Sequence, residues 1–461
     1  MMSALRPAAV AGTFYPANAR DLAADVGELL DGVDVLEPRF AFPKAVIAPH
    51  AGYIYSGPIA AHAYDALAPA RGIVTRVVLL GPVHRVAVRG LALSDAEAFE
   101  TPLGRIPIDR AAVQALADLP QVVINHRAHA LEHSLEVQLP FLQRVLGAFA
   151  LVPLAVGDAS VDEVAEVIQR LWGGAETLVV VSTDLSHYHP YREATRIDGE
   201  TVARIETLAT DIRHEQACGA TPLNGLLEVA RQRGLAIRLL SACNSGDTAG
   251  GRDQVVGYSA FALYEGAPVS AVDAGRTLIA LTRAAIAHRL GDGAGSAAEP
   301  PRTDTPSWLR QAGATFVTLM RRGSLRGCIG SLEARRGLGA DVIANAIGAA
   351  FADPRFAPLS ADEWADTQVE VSLLSTPKPI AFADEAELLD AIRAGEDGLI
   401  VELDGKRATF LPQVWDTLPD KRRFLAELVA KAGLPADTRL ARCKVSRYRV
   451  MKWREADFAS H

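Results

Sequence analysis

The chain has 461 residues, 49% of them hydrophobic, enough for two or three domains with cores of their own. A net charge of −8 with no basic tract argues against a nucleic-acid partner, and no apolar run nears the ~20 residues a membrane helix needs. Four dispersed cysteines (Cys218, Cys243, Cys328, Cys443) with no CxxC pair argue against a disulfide framework or a cysteine-bound iron–sulfur cluster, and the N-terminus lacks signal-peptide character, so a soluble cytoplasmic protein is expected.

From residue 5 to 265, strand-like runs alternate with helical stretches at 19–30, 161–171, 194–208 and 222–233, and the run 253–265 reads as a closing strand. This alternation predicts an α/β domain with a mostly parallel central sheet. Residues 266–272 form a linker. The stretch 272–290 is helical, and 291–306, rich in Gly, Ala and Pro, reads as a loop. Residues 314–331 then predict two strands around a turn at Arg322-Gly323, followed by a helix at 339–352 and a strand at 367–375. A hairpin with its turn at Asp404-Gly405 is expected over 398–412, and a helix over 421–432. Residues 273–456 thus read as an α+β domain with an antiparallel sheet.

Four apolar runs of the first half end in potential metal ligands: AVIAPH in His50, VVLLGPVH in His84, LVVVSTDLSH in Asp184 and His187, and IRLLSAC in Cys243. Ligands bind outside the carboxyl ends of strands in open α/β sheets, so four such strands side by side would bring these groups to one spot. Pro49 and the Gly81-Pro82 pair are expected to end their strands. A buried structural histidine is the plain alternative for His50, and a small packed residue for Cys243. Asp184 is expected either to orient an imidazole or to cap the next helix, and His187 to move a proton. His133 and Glu136, spaced i, i+3 on an expected helix over 130–142, share a face that lines the cleft or forms a surface pair. Phe14 and Tyr55 are candidate pocket walls.

In order, RPAAVAGTFYP, APHAGYIYSG, LLGPVH, EHSLEVQLPFL, STDLSHYH and SACNSGD resemble the Memo family across residues 5–265. The resemblance implies a fold like that of class III extradiol dioxygenases, with His50, His84 and Cys243 as ligands to one metal ion, His187 and Asp184 beside it, and Phe14 and Tyr55 lining the pocket. Those dioxygenases hold Fe(II) with two His and a carboxylate; the thiol of Cys243 in that place favours Cu(I) or thiolate-tolerant iron, with Zn possible. LRGCIGS, DPRFAPLS, VEVSLLS, FLPQV and FLAELVAKAGLP resemble the AMMECR-type domain over 273–456. Such domains accompany Memo-like proteins and a radical SAM protein in the AmmeMemoRadiSam system, so the resemblance implies a radical SAM partner. Within this half Arg326 and Arg355 are candidate anion binders or framework ion pairs, and Cys328 is a nucleophile candidate or a packed small residue.

Three functions follow from these readings. The first is a metal-dependent redox enzyme acting on a small molecule or peptide. The second is a metal-dependent hydrolase. The third is a non-catalytic peptide-, partner- or copper-binding module.

Overall fold

A computed structural model describes residues 5–33, 42–266, 269–291 and 306–458. They divide into two compact units, the first of residues 5–33 and 42–266, the second of residues 269–291 and 306–458.

The first unit is built on a nine-stranded sheet. Its strands are β1 (Ala45–Ala48), β2 (Arg76–Pro82), β3 (Leu91–Leu93), β4 (Val122–Ile124), β5 (Ala150–Val156), β6 (Thr177–Ser182), β7 (His187–His189), β8 (Ala236–Asn244) and β9 (Val255–Tyr264). Their order is β7-β9-β1-β6-β2-β5-β3-β4, with β8 also paired to β9. The four central strands, β1-β6-β2-β5, are mutually parallel. Antiparallel pairs flank them: β9 against β1, β7 and β8 against β9, and β3 against β5. The central strands are continuous apolar runs because both their faces are covered. Val46, Leu79 and Val180 point into one core with Val26, Tyr64 and Phe141 of the helices Ala19–Asp31, Tyr53–Asp65 and Leu139–Leu146. Their neighbours Ile47, Leu80 and Val181 point into the other, against Val164, Ile168 and Leu227 of helices Val161–Arg170 and Ala220–Arg233.

Two local expectations are corrected. Gly81 and Pro82 do not end β2; both pair with β5, at Ala155 and Val156. The pairing of β2 with β6 stops at Leu80, so Pro82 sits where one side of the strand is already free and its missing N–H costs no ladder bond. The expected helix over 130–142 does not reach His133. Residues 131–135 form a turn, Glu136–Gln138 a single 3-10 turn, and the α-helix begins at Leu139. Pro140 is the cause: deeper in a helix it would leave the carbonyl of Glu136 without a donor and press against it, whereas in the first turn it is tolerated.

The second unit is α+β and antiparallel. Strands Ser324–Gly330, Ala312–Arg321, Thr367–Leu374 and Val450–Arg454 lie side by side in that order. One face of this sheet (Val317, Leu319, Val369, Val371) packs on helices Ala271–Gly291 and Leu338–Phe351 through Leu278, Val342 and Ala346. A second sheet joins Lys378–Pro379, Lys444–Tyr448, Gly398–Leu403 and Lys406–Phe410, covered by helix Lys421–Lys431. Both expected hairpin turns are present, with positive φ at Arg322-Gly323 and Asp404-Gly405. The loop expected at 291–306 lies almost wholly outside the described residues.

Candidate metal centre

His50 follows β1 through Pro49 and is buried. Its backbone N–H donates to Asp184 Oδ1 at 2.7 Å. Its Nδ1 lies 2.8 Å from Ser182 Oγ at the end of β6. That hydroxyl has one proton, which it gives to the Ser134 carbonyl at 2.6 Å, while it accepts from Gln138 Nε2 at 2.8 Å. His50 Nδ1 is therefore the donor to Ser182, and its Nε2 carries the lone pair, which faces the Cys218 thiol at 3.3 Å. Burial, reinforced by the neighbouring His84, pulls the His50 pKa down to about 3, so the ring is neutral.

His84 lies two residues past β2. Its backbone N–H donates to Glu132 Oε2 at 2.7 Å and its Nδ1–H to Glu132 Oε1 at 2.9 Å, which leaves Nε2 outside the pair. The same carboxylate accepts the backbone N–H groups of His133 and Ser134, both at 2.9 Å. Burial alone would raise the pKa of Glu132; the His84 imidazole and these N–H groups outweigh it and hold the carboxyl at about 2. His133 sits on the turn ahead of Pro140, with Nδ1 3.3 Å from Glu132 Oε1. Burial first, then His50, lowers its pKa to about 4.

The three rings cluster. His84 stacks on His133 at 4.6 Å between centroids, and His50 meets them edge-on at 5.3 and 5.4 Å. One ligand atom from each lies within 4.8 Å of the other two, the group among the described residues able to hold a metal ion. The donor set fits such an ion: three imidazoles, with Nδ1 of His50 and His84 directed at other groups. Phe14 packs on the His133 ring at 4.8 Å.

The expected third ligand, Cys243, is not part of this group. Its strand β8 does run toward the same edge as β1, but β9 stands between them, with Tyr258 opposite Cys243. Two strand spacings put the β8 and β1 backbones roughly 10 Å apart. His133, expected among the substrate-binding residues, stands with His50 and His84 instead.

Asp184 is buried beside the cluster, where it accepts the His50 backbone N–H and has Oδ2 3.9 Å from His50 Nε2. Burial raises its pKa, against the pull of the surrounding histidines. It caps no helix, since the next one, Tyr191–Glu206, is preceded by Pro190 without a side-chain cap. His187 opens β7 with Nδ1 bound to the Leu185 carbonyl at 2.8 Å and is an electrostatic neighbour of both His50 and Asp184. Tyr55, in the first turn of the helix Tyr53–Asp65, is exposed.

Glu136 is a correction. It does not line the cleft; fully buried, it pairs with Arg6 and accepts from the Ala9 and Val10 backbone and from the Tyr15 hydroxyl. Two functional neighbours were not anticipated. Glu132 directly precedes His133, a placement that carried the signal. Cys218, from the loop before helix Ala220–Arg233, has Sγ 3.3 Å from His50 Nε2, and burial pushes its thiol up to about 12; no sequence pattern marks it. In the second unit Arg326 pairs with Glu363, and Arg355 with Asp353 and the Cys328 carbonyl, the framework alternative.

The Memo-like protein family matches residues 6–262, and the AMMECR1 family matches residues 279–453. The chain belongs to the Memo-like family. A MEMO1 family protein of Aquifex aeolicus is 37% identical over 268 residues, 55% of this chain and 97% of that one. Relatives from Aeropyrum pernix and Methanopyrus kandleri, also MEMO1 family proteins, are 35% and 36% identical over 56% and 57% of this chain, covering 98% and 99% of theirs. Among solved structures, an uncharacterised Pyrococcus horikoshii protein is 38% identical over 39% of this chain and 91% of its own, with a TM-score of 0.35. The first unit is thus a Memo-like domain, followed in the same chain by an AMMECR1 domain. Among the described residues no helix is long and apolar enough to cross a membrane.

Proposed function

We propose that the Memo-like unit is a redox protein with dioxygenase-like chemistry, holding one Fe(II) or Cu(I) ion on His50, His84 and His133. The observation that carries this reading is the convergence of three imidazoles at the carboxyl edge of the parallel strands, two of them, His50 and His133, held neutral by burial. Three protein ligands leave coordination positions open for O2 or substrate, as reactive metal sites do. Bound there, the metal would supply electron transfer and Lewis acidity. The protein's own part is positional and acid–base. Glu132 and Ser182 hold two of the rings. His187 takes or gives the substrate proton beside the buried Asp184. Phe14 and Tyr55 wall the substrate, and the fold likeness to extradiol dioxygenases belongs to this same reading. A radical SAM protein is the proposed partner.

The all-imidazole set also supports a second reading. Three histidines with an open position suit Zn2+ and a bound water, which favours a metal-dependent hydrolase. One experiment separates the two. Anaerobic protein loaded with Fe(II) and exposed to nitric oxide, an O2 surrogate, should give the electron paramagnetic resonance signal of a ferrous–nitrosyl centre. A fully loaded site that gives no such signal refutes the redox reading.

A further inference from the structure

The sheet of the AMMECR1 domain that carries Ser324–Gly330 has a second face, turned away from its helices, and only one end of that face (Ala314, Phe316 and Leu374) packs into a small core, with Ile400, Tyr448 and Leu411. Strand register lines up a row across it: Cys328 opposite Thr318, Thr318 opposite Glu370, and Glu370 opposite Arg454. The next row is Gly330, Phe316, Ser372 and Lys452. Alternation sends the intervening Val317, Leu319, Val369 and Val371 into the helix-side core, so both rows share the opposite face. Thr318, Cys328, Glu370, Ser372, Lys452 and Arg454 of these rows floor a cavity of about 350 Å3, walled by Phe316, Met320 and Leu411. That size suits a small ligand.

The chemistry of the floor is graded. At one end the Thr318 hydroxyl donates to Cys328 Sγ at 3.3 Å. At the other, Glu370 pairs with Lys452 and, at 3.3 Å, with Arg454. Two cations share one carboxylate, so this end keeps a surplus positive charge. Arg355, which bonds the Cys328 carbonyl, is neutralised by Asp353 and adds none. Gly330 belongs to the design: a Cβ there would lie 2.2 Å from the Phe316 ring, so only glycine lets that ring form the wall.

We propose that this cavity binds a small organic monoanion, with its carboxylate or phosphate on Lys452 and Arg454 and its uncharged part over the Cys328 thiol. The test uses the full chain and two alkylating probes of similar size, anionic iodoacetate and neutral iodoacetamide. In both, the Cys328 thiolate displaces iodide and a carbon–sulfur bond forms, so the rate ratio cancels the intrinsic reactivity of the thiol. Labelling is read at Cys328 by peptide mass spectrometry, which separates it from the other cysteines. At low ionic strength the iodoacetate-to-iodoacetamide ratio should exceed that of N-acetylcysteine amide by about three- to tenfold, and high salt should erase the excess. Lys452→Met and, separately, Arg454→Met should lower it, and Glu370→Gln should raise it. Protection by inorganic phosphate but not acetate assigns a phosphate ligand, and the converse a carboxylate. A ratio equal to that of the free thiol, a ratio indifferent to Lys452 and Arg454, or no labelling of Cys328 at all overturns the proposal.

Discussion

Glu132→Gln is the substitution that most directly probes how the centre is held. In the native protein Glu132 Oε1 accepts from His84 Nδ1 and from the His133 and Ser134 backbone N–H groups, while Oε2 accepts from the His84 backbone N–H. A glutamine can put its carbonyl oxygen at the first position and keep three bonds. Its amide NH2 then faces the His84 N–H, donor against donor, at a cost of about 1–3 kcal/mol. The lost charge matters too. The site holds the carboxyl at about 2 instead of its usual 4.5, a preference for the anion of about 3 kcal/mol. The two effects overlap, so the expected loss in the metal-free protein at pH 7 is about 2–4 kcal/mol. Because the folded pKa is depressed, this stabilisation is complete above pH 4.5 and is lost as pH falls toward 2. The deficit of the variant, measured by urea unfolding, should therefore shrink over that window. Metal affinity, measured by chelator competition, should fall about 10- to 100-fold as the rings lose their orientation. A variant within 0.5 kcal/mol of wild type at pH 7 (the ordinary scatter of surface changes) with undiminished metal affinity would refute the reasoning.

Glu136→Ala leaves Arg6 buried without its carboxylate and strips the acceptors of Ala9, Val10 and Tyr15; calorimetry should show a loss of about 3–5 kcal/mol, and an unchanged transition contradicts the anchoring role. Lys44 is buried against the Gly174 and Thr177 carbonyls, and burial lowers its pKa to about 8. Between pH 8 and 10.5 the unfolded chain holds more of that proton, so wild-type stability should rise with pH relative to Lys44→Met by up to about 3 kcal/mol; a flat difference removes the effect. Gly327→Ala would put a Cβ 2.1 Å from the Ala349 carbonyl oxygen in the helix backbone, and should destabilise the AMMECR1 domain by about 3 kcal/mol in denaturant unfolding; a neutral result means the helix–sheet spacing is looser than described.

Much of this was legible in the sequence because the relevant signals are local. Continuous apolar runs marked the buried strands, and the turns at Arg322-Gly323 and Asp404-Gly405 announced themselves through glycine. His50 and His84 were found because each lies just past such a run. What escaped depends on strand order and on side-chain direction. No periodicity tells that β9 inserts between β8 and β1, so Cys243 was expected among the ligands and His133 was not. Pro140 was read as part of a helix, although its effect is to start one, and this turned His133 toward the cleft and sent Glu136 to the N-terminal segment. The contact of Cys218 with His50 joins residues 168 positions apart and left no trace in the sequence.

X-ray absorption at the metal edge, on protein loaded anaerobically and quantified by elemental analysis, tests the centre most directly. The geometry predicts one ion per chain with a shell of nitrogen and oxygen donors near 2.0–2.1 Å, abolished in His84→Ala. A sulfur scatterer at about 2.3 Å, or no stoichiometric metal in the intact protein, contradicts it.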